Sequence, residues 1–492
     1  MSKKLLMSSQ GNLDTSYNYY VVKVKAKGTI TLANSRAGDI TEWDGLTDWG
    51  DNTVDNKASH TYKTAGNYTI KTKYTLKGTE VIKCLNVNRN ITDLRYMFSG
   101  CTNITHIKLS AINRELIYSL DETFYNCKSL ISIKFPRTMN VSDMTRTFCF
   151  CENLLSLDLS GFNTNSLYKV SETFRDCKSL VSLNLDGWDT LGITSMHCLF
   201  QNCTSLKSLD VSHFNTSRVT YMAYVFHNCA SLTELDLSSW DVSKVTSMYS
   251  MFSGCLSLTA LDLSNWDTRN VDTMYGMFSN CCSLASLNVS HFITSNVTNM
   301  SNLFAGCGLT ALDISSWDTG KVTKMSAMFS GCKFTTIDLS HLKTNKVTSM
   351  ECMFSDCDSL VSLDLSSLDT SNVTNMYGVF KNCISLKELN LSRWNTSKVY
   401  SMYHMFSGCE SLIELRLSSF RVDNVTEMNY MFWLCKSLVL LDISNWDISG
   451  NISADSLNAM FYSTSLTLDN IIMNNCNEST RSIITEAINN SK

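Results

Sequence analysis

A phenylalanine three residues before a cysteine, F-x-x-C, recurs fourteen times in phase, from Phe98–Cys101 to Phe432–Cys435. The step is 26 residues, shortening to 24 or 25 in three places. A chain that repeats at this period grows by stacking units rather than by enlarging one core. Its 492 residues therefore do not call for the three ordinary domains that length alone would suggest. The clearest copy is LTALDLSNWDTRNVDTMYGMFSNCCS, Leu258 to Ser283.

Each copy divides into three pieces. Leu235-Asp236-Leu237 alternates apolar and polar residues, as a short strand with inward leucines does. Trp240-Asp241-Val242 and Trp266-Asp267-Thr268 are turns, because Asp and Thr side chains bond nearby backbone amides. Met248, Met251, Phe252 and Cys255 then lie three and four apart, the spacing of a helical face. The expected fold is an α/β solenoid, a rod with a parallel β ladder and short helical turns. Pro136, the only proline, occupies the slot after the strand, where no ladder amide is needed.

Twenty cysteines suggest a disulfide framework, yet fourteen sit in one slot of the repeat. A thiol used once per unit behaves as a small buried hydrophobe, and disulfide scaffolds are short chains without such a core. The adjacent Cys281 and Cys282 lack partners at zinc-ligand spacing. The formal net charge is −4 and basic residues nowhere form a block, which argues against nucleic acid as a partner. MSKKLLMSSQ is too short an apolar start for a secretory signal, and the stretch beginning Met1-Ser2-Lys3 is read as a native start. No run approaches a membrane span.

The pattern L-x-x-L-D-L-S-x-W-D-T-x-x-V-T-x-M-x-x-M-F-x-x-C-x-S-L resembles the BspA-like leucine-rich-repeat surface proteins of bacteria, and Ile133-Lys134-Phe135-Pro136 resembles that family's shorter L-x-L-P version. The resemblance implies a leucine-rich-repeat rod used for adhesion or partner binding, without catalysis or a cofactor. Before the repeats, Trp49-Gly50-Asp51, His60-Thr61-Tyr62 and Gly66-Asn67-Tyr68 resemble the signature of a PKD-type β-sandwich, a spacer or attachment module. Asn52 replaces that signature's glycine, and Asn tolerates the left-handed conformation. Strands are expected over Tyr19–Lys25, Gly28–Ala33, Tyr68–Leu76 and Glu80–Leu85. The expected division is 1–85 for this small β-sandwich, 86–446 for the solenoid, and 447–492 for a C-terminal cap that includes a helix over Ser479–Asn489.

The repeat aligns its side chains in columns, and the candidate sites lie in them. His213, His291 and His341 share a variable slot and read as solvent-facing decoration rather than as catalytic groups. Two aspartate columns, one starting at Asp210 and one at Asp189, could recruit Ca²⁺, but bonds from neighbouring Ser, Thr and backbone amides account for them better. The column from Phe162 and Trp188 to Trp446 reads as a buried spine. Tyr249, Tyr275, Tyr377 and Tyr403 differ, because other repeats place Ala, Ser, Asn or Glu351 in their slot. Variation in a rigid frame marks a recognition surface, and these four tyrosines are the candidate ligand-binding residues. No catalytic residue, metal or cofactor is expected. The partner expected is a protein or glycan surface ligand, with the N-terminal module attaching to a virion or cell surface. Lacking a signal or anchor, the sequence favours a phage virion fibre or decoration protein. A bacterial cell-surface adhesin and a cytosolic interaction scaffold are the alternatives.

Overall fold

The computed structural model describes residues 16–24, 28–32, 46–72, 74–76, 79–448, 450, 452, 457 and 459–490. Residues 1–15, Lys25 and Ala33, on which parts of the sequence reading fall, lie outside them. The chain forms two compact units, Met1–Arg218 and Val219–Lys492.

The first unit opens with β1 (Asn18–Val24), β2 (Thr29–Thr31), β3 (Thr47–Asp48), β4 (Val54–Asp55), β5 (Ser59–Thr61), β6 (Gly66–Thr72) and β7 (Val81–Asn86). β2 pairs with β5, while the others join one sheet in the order β4-β3-β6-β1-β7. The residues singled out between β3 and β6 come together. Buried Trp49 donates its indole N–H to Asp55 at 2.9 Å, and Tyr62 donates its hydroxyl to the Trp49 carbonyl at 2.8 Å. His60 pairs with Asp51 at 2.7 Å. Asn52 has φ +74°, the left-handed conformation expected of it.

The same sheet continues into the repeats. β7 pairs in parallel with β8 (His106–Lys108), and β8 with β9 (Ser132–Lys134). The expected boundary at residue 85 thus falls inside a strand that bonds β1 on one side and the first repeat on the other. The first unit carries five repeat coils and the second carries nine.

Within each unit the coils stack on a parallel ladder. Ser156–Asp158 pairs with Ser182–Asn184 in the first unit, and Ser362–Asp364 with Glu388–Asn390 in the second. Leu235–Leu237 keeps its leucines inward but carries no ladder pairing, so the expected strand is absent there, as it is in all six successive coils from Leu209–Val211 to Ile337–Leu339. A second row of parallel bridges runs from Tyr221 through Ser247, Thr273 and Asn299 to Glu427. Phenylalanine rings of successive coils lie offset-stacked, as for Phe252, Phe278 and Phe304 at centroid spacings of 5.7 Å.

The segment expected to be helical is not a helix. From Met274 to Cys281 alternate amides turn back on their own coil, as in Met277 to Met274 and Cys281 to Phe278. The amides between them cross to the next coil, as in Gly276 to Ser301, Phe278 to Leu303 and Asn280 to Ala305. The crossing is possible because two residues per coil take positive φ, here Gly276 (+57°) and Asn280 (+57°). The residue before the repeat cysteine is Gly, Asn or Asp in twelve of fourteen coils, a signal that the apolar spacing alone does not carry. Among the described residues the one α-helix is α1 (Glu478–Asn489), close to the Ser479–Asn489 expected.

Eighteen of the twenty cysteines are buried; Cys282 is exposed and Cys352 half-buried. The repeat thiols do more than fill space. Cys281 donates to the Phe252 carbonyl of the preceding coil at 3.3 Å, and Cys383 to Phe354 at 3.0 Å. Burial holds the Cys435 thiol protonated, its pKa raised to about 12.

Candidate ligand-binding surface

The columns that looked chemical are mostly structural. Asp210 and Asp236 each accept the amide and the hydroxyl of the serine two residues on, at 2.7 to 3.0 Å. Asp241 and Asp369 accept the Ser243 and Ser371 amides in the same way at 2.9 Å. Those bonds hold the Asp210 and Asp369 carboxyls below their usual range. Among the described residues, no group of three or more His, Cys, Asp or Glu is placed to hold a metal. The Phe162-to-Trp446 column is buried throughout, and its threonine neighbours tie coils together: Thr268 donates to the Ile293 carbonyl and accepts its amide.

Two of the three repeat histidines are not mere decoration. Trp317 and Trp394 donate their indole N–H to a carbonyl of the preceding coil, Val289 and Leu365, at 3.0 Å. Where that slot holds Phe, the ring cannot donate, and the residue before it is His in two coils. His213 bonds the Leu185 carbonyl at 3.1 Å and His291 the Leu263 carbonyl at 2.8 Å, both through Nε2. A carbonyl only accepts, so Nε2 carries the proton. His341 precedes Leu342 and has no bond from either ring nitrogen.

The four candidate tyrosines all lie on the turn arc of the second unit, each half-buried and each next to a positive-φ residue. Tyr249 and Tyr275 stack at 4.5 Å with planes 15° apart, and Tyr377 and Tyr403 at 5.5 Å and 9°. Each pair is the centre of a larger cluster that the sequence reading did not assemble. Tyr224 joins Tyr249 at 5.1 Å and meets His227 edge-on. Tyr403 meets His404 at 4.4 Å, which stacks on Tyr430 at 4.9 Å, and Trp433 completes the group. Burial, with Tyr224 beside it, raises the Tyr249 hydroxyl pKa, and burial lowers the imidazole pKa of His227 and His404. Both clusters are therefore neutral aromatic platforms near neutral pH, suited to flat apolar faces and hydrogen-bonding groups rather than to ions.

Tyr224, His404 and Tyr430 themselves take positive φ, at 61°, 57° and 59°. The same slot is Gly276 and Gly378 in neighbouring coils. A bulky residue there costs about 1 kcal/mol or more relative to glycine. In the first unit the slot holds Tyr96, Glu122, Arg146, Glu172 and Cys198, and Arg146 bridges the two glutamates at 3.3 and 2.9 Å.

A family described as Mycoplasma protein of unknown function, DUF285, matches residues 92–189, 168–287, 282–388 and 360–474, more than three quarters of the chain together. None of the matched residues precedes 92, so the PKD-type reading of 1–85 rests on its own residues. No curated protein matches. Solved structures similar to this chain include a leucine-rich repeat protein from Bacteroides ovatus at 18% identity, covering 80% of each chain with a TM-score of 0.31. Another, from Eubacterium ventriosum, has 16% identity, 74% and 84% coverage and a TM-score of 0.32. A third, described as a leucine rich cell surface protein from Faecalibacterium prausnitzii, has 15% identity, 94% and 97% coverage and a TM-score of 0.29.

Proposed function

We propose, from the premise that this chain belongs to the DUF285 family, that it is a non-enzymatic binding protein whose ligand rests on the tyrosine-bearing arc of its second unit. The observation that carries this reading is the pair of half-buried aromatic clusters, built partly from residues in the costly positive-φ slot where glycine would serve the backbone better. Buried columns account for themselves by packing; these side chains do not. The ligand class is a protein or glycan face, for which stacked tyrosines offer large contact area at low entropic cost.

The setting proposed is a bacterial cell surface. The family is one of Mycoplasma proteins, which favours that alternative over the virion fibre first expected from the sequence. Among the described residues no helix is long and apolar enough to cross a membrane. The module at 1–85 is proposed as the attachment end, on its resemblance and on the Tyr62–Trp49 and His60–Asp51 bonds that join its signature residues.

The test is a binding screen of the purified chain on glycan and cell-surface-protein arrays, repeated with Tyr249, Tyr275, Tyr377 and Tyr403 all changed to Ser. The variant is expected to bind any ligand found about tenfold more weakly or worse, with its melting temperature within a few degrees of the parent's. Undiminished affinity would remove the tyrosines from the site, and a chain that binds nothing on either array would remove the reading itself.

A further inference from the structure

The outward residue of the L-x-L strand is acidic or amidic in most coils, running Asp158, Asn184, Asp210, Asp236, Asp262 and onward. In the first two coils it is lysine. Lys108 and Lys134 face each other in register across β8 and β9. Strands lie about 4.8 Å apart, and like charges directly opposite destabilise a ladder. The chain is negative overall, so this pair runs against both its own column and the net charge.

Two further cations face the same ground. Arg114 and Arg137 line, with both lysines, a hollow of about 630 Å³ in which Glu115 is the one carboxylate. Four cations against one carboxylate leave a surplus of three positive charges. No carboxylate of the described residues lies within ion-pair reach of any of the four. The basic residues of the next coils are treated otherwise: Arg146, Lys169 and Arg175 are each paired with an acid. The hollow continues into a second of about 430 Å³, which shares Lys134, Phe135 and Arg137.

The sequence also explains why the surface is open here. In the following coil Ser160 gives its amide and hydroxyl to Asp158 at 3.1 and 2.8 Å, a clasp that closes the strand-to-turn corner. At Lys134–Pro136 the acceptor is replaced by a cation and the donor by an imino acid, so that clasp cannot form.

We infer that the hollow around Lys108, Lys134, Arg114 and Arg137 is a binding site for tetrahedral oxyanion groups, the sulfates or phosphates carried in succession along a sugar or polyol chain. Two guanidinium forks and two ammonium groups match the several oxygens of such a group. A lone carboxylate, with two oxygens and one charge, would leave donors unmatched and most of the surplus unneutralised, whereas successive charged groups along one chain supply both. The adjoining hollow gives the carrier chain room beside the charge. This site is separate in residues from the tyrosine surface and does not depend on it.

The experiment is calorimetric titration of the full chain at fixed ionic strength with inorganic sulfate, inorganic phosphate and acetate. A sulfated tetrasaccharide and a glycerol phosphate oligomer follow. Sulfate or phosphate is expected to bind about tenfold more tightly than acetate, and the tighter of the two oligomers names the natural source. Lys108→Gln with Lys134→Gln should weaken binding about tenfold and, by relieving repulsion, leave the melting temperature equal or higher. Should the double variant fail to fold, Arg137→Gln alone supplies the same readout. The four-tyrosine variant is expected to keep the anion affinity, so each reading fails on its own. Acetate binding as well as sulfate and phosphate, oligomers no tighter than their free anions, or lysine and arginine variants that bind like the parent would each overturn the proposal.

Discussion

Asn280 and Gly306 occupy the same slot one coil apart, and both hold positive φ, +57° and +69°. An apolar spacing of three and four is common to an α-helix and to this succession of turns, so Met248, Met251, Phe252 and Cys255 cannot distinguish them. What separates the two is a residue that tolerates the left-handed conformation, and it stands beside the cysteine in plain view. Room for a Cβ is a further demand, and it differs from coil to coil. At Gly306 a Cβ would come within 2.4 Å of the Asn280 Oδ1, whereas at Gly100, φ +76°, it would meet nothing within 4 Å. Gly100→Ala is therefore expected to cost only the conformational strain, about 1 kcal/mol, and Gly306→Ala at least twice that. Denaturant midpoints of the two variants check this; equal costs would show that the neighbouring Asn280 yields freely.

A coil is held to its neighbours by several columns, and they differ in how plainly the sequence shows them. Burial is periodic, so the inward leucines, methionines, phenylalanines and tryptophans were legible, and the structure buries them. Hydrogen bonds between coils were not, because each joins residues about 25 to 29 apart whose partnership no local pattern records. The Cys281 thiol to Phe252 and the Thr268 hydroxyl to Ile293 are of this kind. The tyrosines of the candidate site were found by variation within their slot, and Tyr224 and Tyr430 stand one place along from it, while His404 and Trp433 were missed because their contacts to Tyr430 and to each other depend on how coils and turns bring them together. The exchange of Trp for His-Phe follows the same logic and can be tested. His291→Ala leaves the Leu263 carbonyl without its donor and is expected to cost about 1 kcal/mol. Phe292→Trp, added to it, places an indole N–H in the slot from which Trp317 and Trp394 reach the equivalent carbonyl, and should recover most of that loss. Thermal melts of the single and double variants decide it. A double variant no more stable than His291→Ala would mean that the imidazole acts by packing and not by its N–H.

At the scale of the whole chain the coils need ends, since an unpaired strand edge invites association and an uncovered core face is wet. The C-terminal end was legible: α1 is capped by Asn477, buries Thr480, Ile484 and Ile488, and its Thr480 hydroxyl accepts the Ile448 amide at 3.1 Å. The N-terminal end was harder to read, because β7 belongs to no repeat and looks like the last strand of a separate domain. Its pairing runs to both sides. On one edge it bonds β1, and on the other Lys83 and Cys84 pair with His106 and Ile107 of the first coil. Thr105 adds its amide and hydroxyl to the Ile82 carbonyl at 2.9 and 3.0 Å. β7 therefore serves both structures, and a cut at residue 85 or 86 removes the first coil's only cover on that edge among the described residues. Two truncations separate this from an independent N-terminal domain. A chain starting at Thr79 keeps β7 and loses β1 to β6; one starting at Val87 loses β7 as well. The first is expected to keep the amides of the first two coils, around Ile107 and Ile133, protected from hydrogen exchange. The second should lose that protection in the same coils, while the second unit, Val219–Lys492, exchanges as before. Exchange mass spectrometry of the two chains reads the difference. If the two truncations behave alike, with the first coil protected in each, then β7 is not a cap and the domain boundary at 85 stands as the sequence suggested.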